Sequence, residues 1–155
     1  MAVVNLLDGD METVGVADWT ALNNANLTKE SGTRTGGSGS QVLRVAYTDT
    51  ANPRAIQNGY VKPIRFRFKG WARGDGTYTP SVRVGGVIIW TGTTSTDWQE
   101  FDVTHTSTST SGNMYLETSA TGVGWAEFDD IYIAEIDEVI VDGSMEKSTT
   151  SDYTS

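Results

Sequence analysis

The sequence predicts an all-β fold, an antiparallel sandwich or barrel, on three observations. Short apolar runs alternate with polar residues at a period of two; Gly, Ser, Thr and Asp turns separate the runs; and no long helical period or strand-helix-strand succession occurs. The composition agrees, with 17 Gly against 3 Pro, abundant Ser and Thr, and 5 Trp. A chain of 155 residues holds one core and is too short for two good ones.

Taken in order, residues 3–7 read as a short strand followed by a Gly/Asp turn and the variable stretch GVADWTALNNANLTKE. The run SGTRTGGSGS at 31–40 is too rich in Gly and Ser to pack, which predicts a surface loop. QVLRVAYT reads as a buried strand around a single Arg. PIRFRFKGWARG is the clearest strand: Ile64, Phe66, Phe68, Gly70 and Ala72 alternate with Arg65, Arg67, Lys69, Trp71 and Arg73, giving one core face and one basic face. After the turn GDGTYTP come SVRVGGVIIWTG, a strand pair pinched at Gly85-Gly86, and then the alternating DWQEFDVTHT. NMYLETS and GWAEFDDIYIAEI complete the set.

A net charge of -9 argues against nucleic acid, which needs a clustered excess of Lys and Arg, and favours solubility. With no Cys there is no disulfide framework, thiol nucleophile or Cys-type zinc site. No run approaches membrane-spanning length. The opening MAVVNLLDGD lacks the basic start, apolar stretch and cleavage site of a secretory signal. The expectation is a chain assembled in the host cytoplasm, or one whose upstream segment has been removed and which is extracellular.

The order NLLDGDME, a Gly/Ser loop, VLRVAY, FRFKGWAR, DWQEFDVT and GWAEFDDIYI resembles the carbohydrate-binding-module-like jelly roll, the galactose-binding-like β-sandwich found beside glycosidases and on phage particles. The resemblance covers about residues 4–136 and implies one jelly-roll domain over 1–136, with 137–155 as a C-terminal arm. Similar stretches recur in phage structural proteins, so the resemblance implies a virion part. The expected function is a non-catalytic virion surface protein, a capsid decoration or tail-associated module. It would act through contacts with its own copies or other capsid proteins, and through cell-surface glycan. The alternative is a soluble glycan-binding module detached from a glycosidase or adhesin.

The resemblance also implies a structural Ca²⁺ held by Glu12 and Asp130, with Asp10 and Asp129 nearby and the Gly36–Ser40 loop as a carbonyl source; hard oxygen donors of this kind suit calcium. Glycan contact needs exposed rings beside polar groups. Alternation places Trp71 on an outer face among Arg67, Lys69 and Arg73, and Tyr60, Tyr78 and Trp90 are candidates to join it. Trp98, Trp125 and Phe101 read as core or edge packing. The competing reading of Trp71 is a ring under arginine stems or in a protein contact. No arrangement of nucleophile and base supports catalysis, and His105, the one histidine, reads as a surface residue.

One feature of the sequence stands apart from the domain. LLDGDMETVGVADWT at 6–20 returns as IVDGSMEKSTTSDYT at 140–154, a constant offset of 134 residues from Asp8 to Asp142. Identities fall at Asp8/Asp142, Gly9/Gly143, Met11/Met145, Glu12/Glu146, Asp18/Asp152 and Thr20/Thr154. The arm residues Val139, Ile140, Val141 and Met145 are therefore candidates for strand addition to a neighbouring copy. The other reading is genealogical: the chain derives from a tandem array or is one link of a longer product, and the stub is a disordered relic.

Overall fold

The computed structural model describes residues 2–4, 6–32, 34–61, 64–108 and 112–136, without the side chains of 2–4 and 59–61. Among the described residues eleven strands run in chain order: β1 (Ala2–Val4), β2 (Thr20–Leu22), β3 (Asn26–Ser31), β4 (Gln41–Ala46), β5 (Arg54–Val61), β6 (Arg65–Arg73), β7 (Pro80–Val84), β8 (Val87–Thr91), β9 (Gln99–Thr106), β10 (Gly112–Thr118) and β11 (Trp125–Glu135). The first sheet has the order β3-β4-β11-β6-β9, with β1 also on β11, and the second β2-β5-β10-β7-β8. Every pairing is antiparallel. This is the all-β sandwich that the alternation predicts.

The strand at 65–73 shows why the alternation is informative. Phe66, Phe68, Gly70 and Ala72 are buried, while the residues between them are exposed or half-buried. Phe66 and Phe68 pack with ring centroids 5.8 Å apart, and Leu43, Val45, Phe101, Met114, Leu116, Phe128 and Ile133 fill the space between the sheets. Gly85, at φ 57°, closes the β7-β8 hairpin where a left-handed residue is needed.

β11 is the spine of the first sheet. Its first half pairs with β4 from Trp125 to Phe128, and its second half with β1 from Ile133 to Glu135. Because β6 runs along the opposite edge, β1 and β4 share one side of β11 end to end. The register of β11 against β6 shifts between Asp129 and Tyr132. The extra residue is a β-bulge, with Asp130 at φ 50°.

Three strands carry weaker signals than the rest. β2 and β3 lie in the stretch read as variable, and β5 was not distinguished at all. In β3 Lys29 occupies an inward position; its ammonium reaches Asp8 at 2.7 Å and the carbonyls of Met11 and Thr13 at 2.9 and 2.7 Å. In β5 the buried Gln57 accepts from the Leu7 N–H at 3.2 Å and donates to the Leu7 carbonyl at 2.6 Å. Polar residues at inward positions blur a period-two pattern, and each here is matched by hydrogen bonds.

Candidate functional site

The outer face of the first sheet gathers charge and aromatic rings in cross-strand rows. Glu127 on β11 lies opposite Arg44 on β4 and Arg73 on β6. Its carboxylate, 1% exposed, takes one arginine on each oxygen at 2.7 Å. Arg44 covers the Trp125 ring at 4.2 Å and Arg73 the Trp98 ring at 4.8 Å. Trp98 and Trp125, read from the sequence as core or edge packing, are therefore outer-face rings under arginines.

Toward the other end of this face, Arg67 forms a two-pronged pair with Asp102 at 2.8 and 2.6 Å. Between the two pairs opens a cavity of about 290 Å³ lined chiefly by Trp71, Tyr132, Lys69, Glu100, Arg34 and Asp130. The Arg34 guanidinium lies over the Trp71 ring, 4.2 Å from its centroid. Lys69 and Glu100 form no ion pair with other described residues. The cavity thus offers two aromatic side chains, the Lys69 ammonium, which stands across from Asp102 without a close ion pair, and the Glu100 carboxylate.

Of the candidate ligand residues, the structure brings together Trp71, Lys69 and Arg67. Arg73 belongs to the neighbouring Glu127 pair. Trp90 faces inward, opposite Val82 and against Phe101 at 5.0 Å, so it is part of the core packing and not of an outer platform. Tyr78 lies on the loop after β6, beside Gly122 and Gly124 and anchored by Asp75, outside the cavity. Tyr60 belongs to β5 of the second sheet, and its side chain lies outside the described residues, as do Val139, Ile140, Val141 and Met145 of the arm. His105 continues the inward row Phe101–Val103 of β9 and is half-buried.

Three cavity side chains, Glu100, Tyr132 and Arg34, were missed by the sequence reading. Tyr132 was legible in DDIYIAEI, where it alternates with Ile131 and Ile133. Arg34 carried a fainter signal, one cation inside an otherwise neutral Gly/Ser run.

The carboxylates expected to hold calcium do converge, with a different solution. The Glu12 carboxylate accepts the N–H groups of Ser40 at 3.0 and 3.1 Å and of Gln41 at 2.8 Å. A Cβ on Gly39 would stand 2.0 Å from its carboxyl carbon, so only glycine allows this approach. The two amides hold Glu12 below the usual carboxylate range. Asp130 accepts from the Ser38 hydroxyl and N–H and from Arg34, and Asp10 caps the Glu12 N–H at 3.2 Å.

Asp129 is buried 3.6 Å from the Arg34 guanidinium, with one oxygen lacking a donor. Burial first, then the charge of Asp130, push it up to about 6 against the pull of Arg34. The loop thus presents N–H groups where calcium needs oxygens, and among the described residues no three acidic or His side chains are grouped to hold an ion. The donor set does not fit a calcium cage; Arg34 is the cation of this cluster.

The second sheet carries a related arrangement that the sequence reading did not single out. Glu117 on its central strand points outward yet is 3% exposed. Arg54 and Arg83 reach its two oxygens, Arg83 at 3.2 Å, and Arg54 covers the Tyr115 ring at 5.3 Å. The alternation of Tyr115 and Glu117 with the buried Met114 and Leu116 was the available signal.

No protein-family model and no curated protein matches the chain. Solved structures do. TmCBM61, a carbohydrate-binding module in complex with β-1,4-galactotriose, superposes with a TM-score of 0.63 at 14% identity, over 86% of this chain and 99% of that one. The fold is that of the carbohydrate-binding-module jelly roll. The CBM22-1 xylan-binding domain of Paenibacillus barcinonensis Xyn10C gives 0.61 at 15% identity, over 79% and 89%. The enzymatically active domain of bacteriophage CBA120 tailspike protein 4 gives 0.63 at 13% identity, over 84% of this chain but 21% of that one. At these identities the likeness is one of fold.

Proposed function

We propose that this jelly roll is a non-catalytic glycan-binding domain that serves on a virion surface, in a tail-associated or capsid-decorating part. The observation that carries the glycan reading is the open cavity lined by Trp71, Tyr132, Lys69 and Glu100. A sugar ring presents an apolar face and a rim of hydroxyls; an aromatic ring takes the first, and a donor and an acceptor take the second. Two arms of the comparison support the reading, the modules that bind galactotriose and xylan and the phage tailspike domain that shares the fold.

The role proposed is binding alone. On a virion, assembled in the host cytoplasm, such a domain would hold cell-surface glycan while a larger assembly does the rest. As a detached module it would do the same in solution outside cells.

The test is titration of the full chain with neutral oligosaccharides, including galactans and xylans, for the wild type, Trp71→Ala and Lys69→Ala. We expect wild-type binding that Trp71→Ala abolishes and Lys69→Ala weakens about tenfold, the equivalent of one hydrogen bond to a charged group. Binding that both variants retain defeats the cavity. Loss in Tyr115→Ala instead would move the site to the Glu117 face, whose buried outward carboxylate is the one observation favouring a second location.

A further inference from the structure

The opening segment sits in a seat whose contacts can be named one by one. Asp8 is buried, with Lys29 on one oxygen at 2.7 Å and the Thr13 N–H on the other at 2.8 Å. The Gly9 carbonyl accepts the Ile131 N–H at the β11 bulge at 2.8 Å, and a Cβ on Gly9 would stand 2.7 Å from the Ile131 carbonyl oxygen. Met11, at φ 64°, is fully buried in the core. Glu12 binds the amides of Ser40 and Gln41. Farther along, Leu6 packs on the core and Trp19 is 4% exposed. Asp10, Thr13, Val14, Gly15 and Ala17 face solvent.

The second copy of this sequence follows that division closely. Asp142, Gly143, Met145 and Glu146 repeat the four seat residues, Ile140 stands for Leu6 and Tyr153 for Trp19. The exposed positions change: Ser144 for Asp10, and Lys147, Ser148, Thr149 and Ser151 for Thr13, Val14, Gly15 and Ala17. There are two departures: Val16, half-buried, has Thr150 in its place, and Thr20, exposed, is repeated as Thr154. The repeated residues are chiefly those that contact the seat.

We propose that residues 140–146 are a second docking segment, complementary to the seat that residues 6–12 fill, and that the seat they enter belongs to a second copy of this chain. Within one copy the opening segment holds its own seat with the advantage of high effective concentration. The terminal segment takes over in a neighbour whose opening has left. The result is a head-to-tail contact in which one chain completes the sandwich of the next. This inference is independent of glycan binding.

The test uses the full chain with Met11→Asp, which weakens the opening segment in its seat, beside Met145→Asp and the double variant. Met145→Asp alone is expected to melt like the wild type. Met11→Asp is expected to keep a cooperative transition, on the order of 10 °C above the double variant, and to show a dimeric or larger mass by light scattering. If Met11→Asp and the double variant melt alike, whether folded or unfolded, the docking segment is refuted. If Met11→Asp melts higher but stays monomeric at every concentration, the partner is the chain itself, and the second copy is refuted.

Discussion

Arg34 occupies the place where the sequence suggested an ion. One side chain, 7% exposed, pairs with Asp129 and Asp130 and lies on Trp71, tying the Gly/Ser loop to the last strand and to the cavity wall. Arg34→Ala should lower the melting temperature, because it leaves two carboxylates, one of them buried, without their cation. With Arg34 as the cation of this cluster, chelation with EDTA should leave the wild-type melting temperature unchanged; a fall on chelation would restore calcium to the cluster.

Asp129 supplies a pH dependence of definite sign. Its folded value is raised to about 6, against roughly 3.9 in an unfolded chain. Below the lower value both states are protonated and the native state carries no buried charge. Between roughly pH 4 and pH 6 stability falls because the unfolded carboxyl ionises while the native one keeps its proton, by up to roughly 3 kcal/mol. Asp129→Asn should flatten that slope in urea titrations between pH 4.5 and 7. Glu12 and Asp75 act in the opposite direction at lower pH, where their depressed values mean stability is lost as pH falls through them. For Asp75, burial works to raise it, and the amides of Tyr78, Thr77 and Trp125 outweigh that.

At the scale of the element, cross-strand pairs show how burial sets the worth of a charge. Glu127 is 1% exposed between Arg44 and Arg73, so Glu127→Ala, which strands both arginines, should cost about 3–5 kcal/mol. Arg67 and Asp102 are 38% and 39% exposed, and Arg67→Ala should cost about 1 kcal/mol or less. Urea denaturation of the two variants checks the contrast; equal losses would contradict it.

The same scale shows what the sequence made legible. The strand of Phe66 and Phe68 was plain because its inward residues are all apolar or glycine. β3 and β5 were hidden because Lys29 and Gln57 point inward, and only tertiary partners far along the chain, Asp8 and Leu7, make that tolerable. Trp71 could be placed on its face by alternation alone. Trp90 was misplaced because the register of β8 shifts between Val82 and Arg83 of its partner, an irregularity that reverses side-chain direction and leaves no mark in composition.

For the whole molecule, the sandwich positions two outward faces, each with a central glutamate clamped by two arginines. The rings at Trp71, Trp125, Trp98 and Tyr115 are each covered by an arginine. The cavity differs in holding a lysine and a glutamate that no described residue satisfies by an ion pair, which makes it the place best prepared for a polar ligand. That the chain is acidic overall, at -9, favours a neutral glycan over an anionic one by simple repulsion. A sulfated or carboxylated oligosaccharide should therefore bind more weakly than its neutral counterpart at low salt, and the gap should narrow as salt is added.

The most direct test of the glycan reading is the indole N–H spectrum of the full chain, with the Trp71 signal assigned through Trp71→Phe, during titration with neutral oligosaccharides. The account predicts a saturable shift of the Trp71 indole with the core residue Trp90 unmoved. A ligand that binds while leaving Trp71 unshifted, or no binding across galactans and xylans, would contradict it.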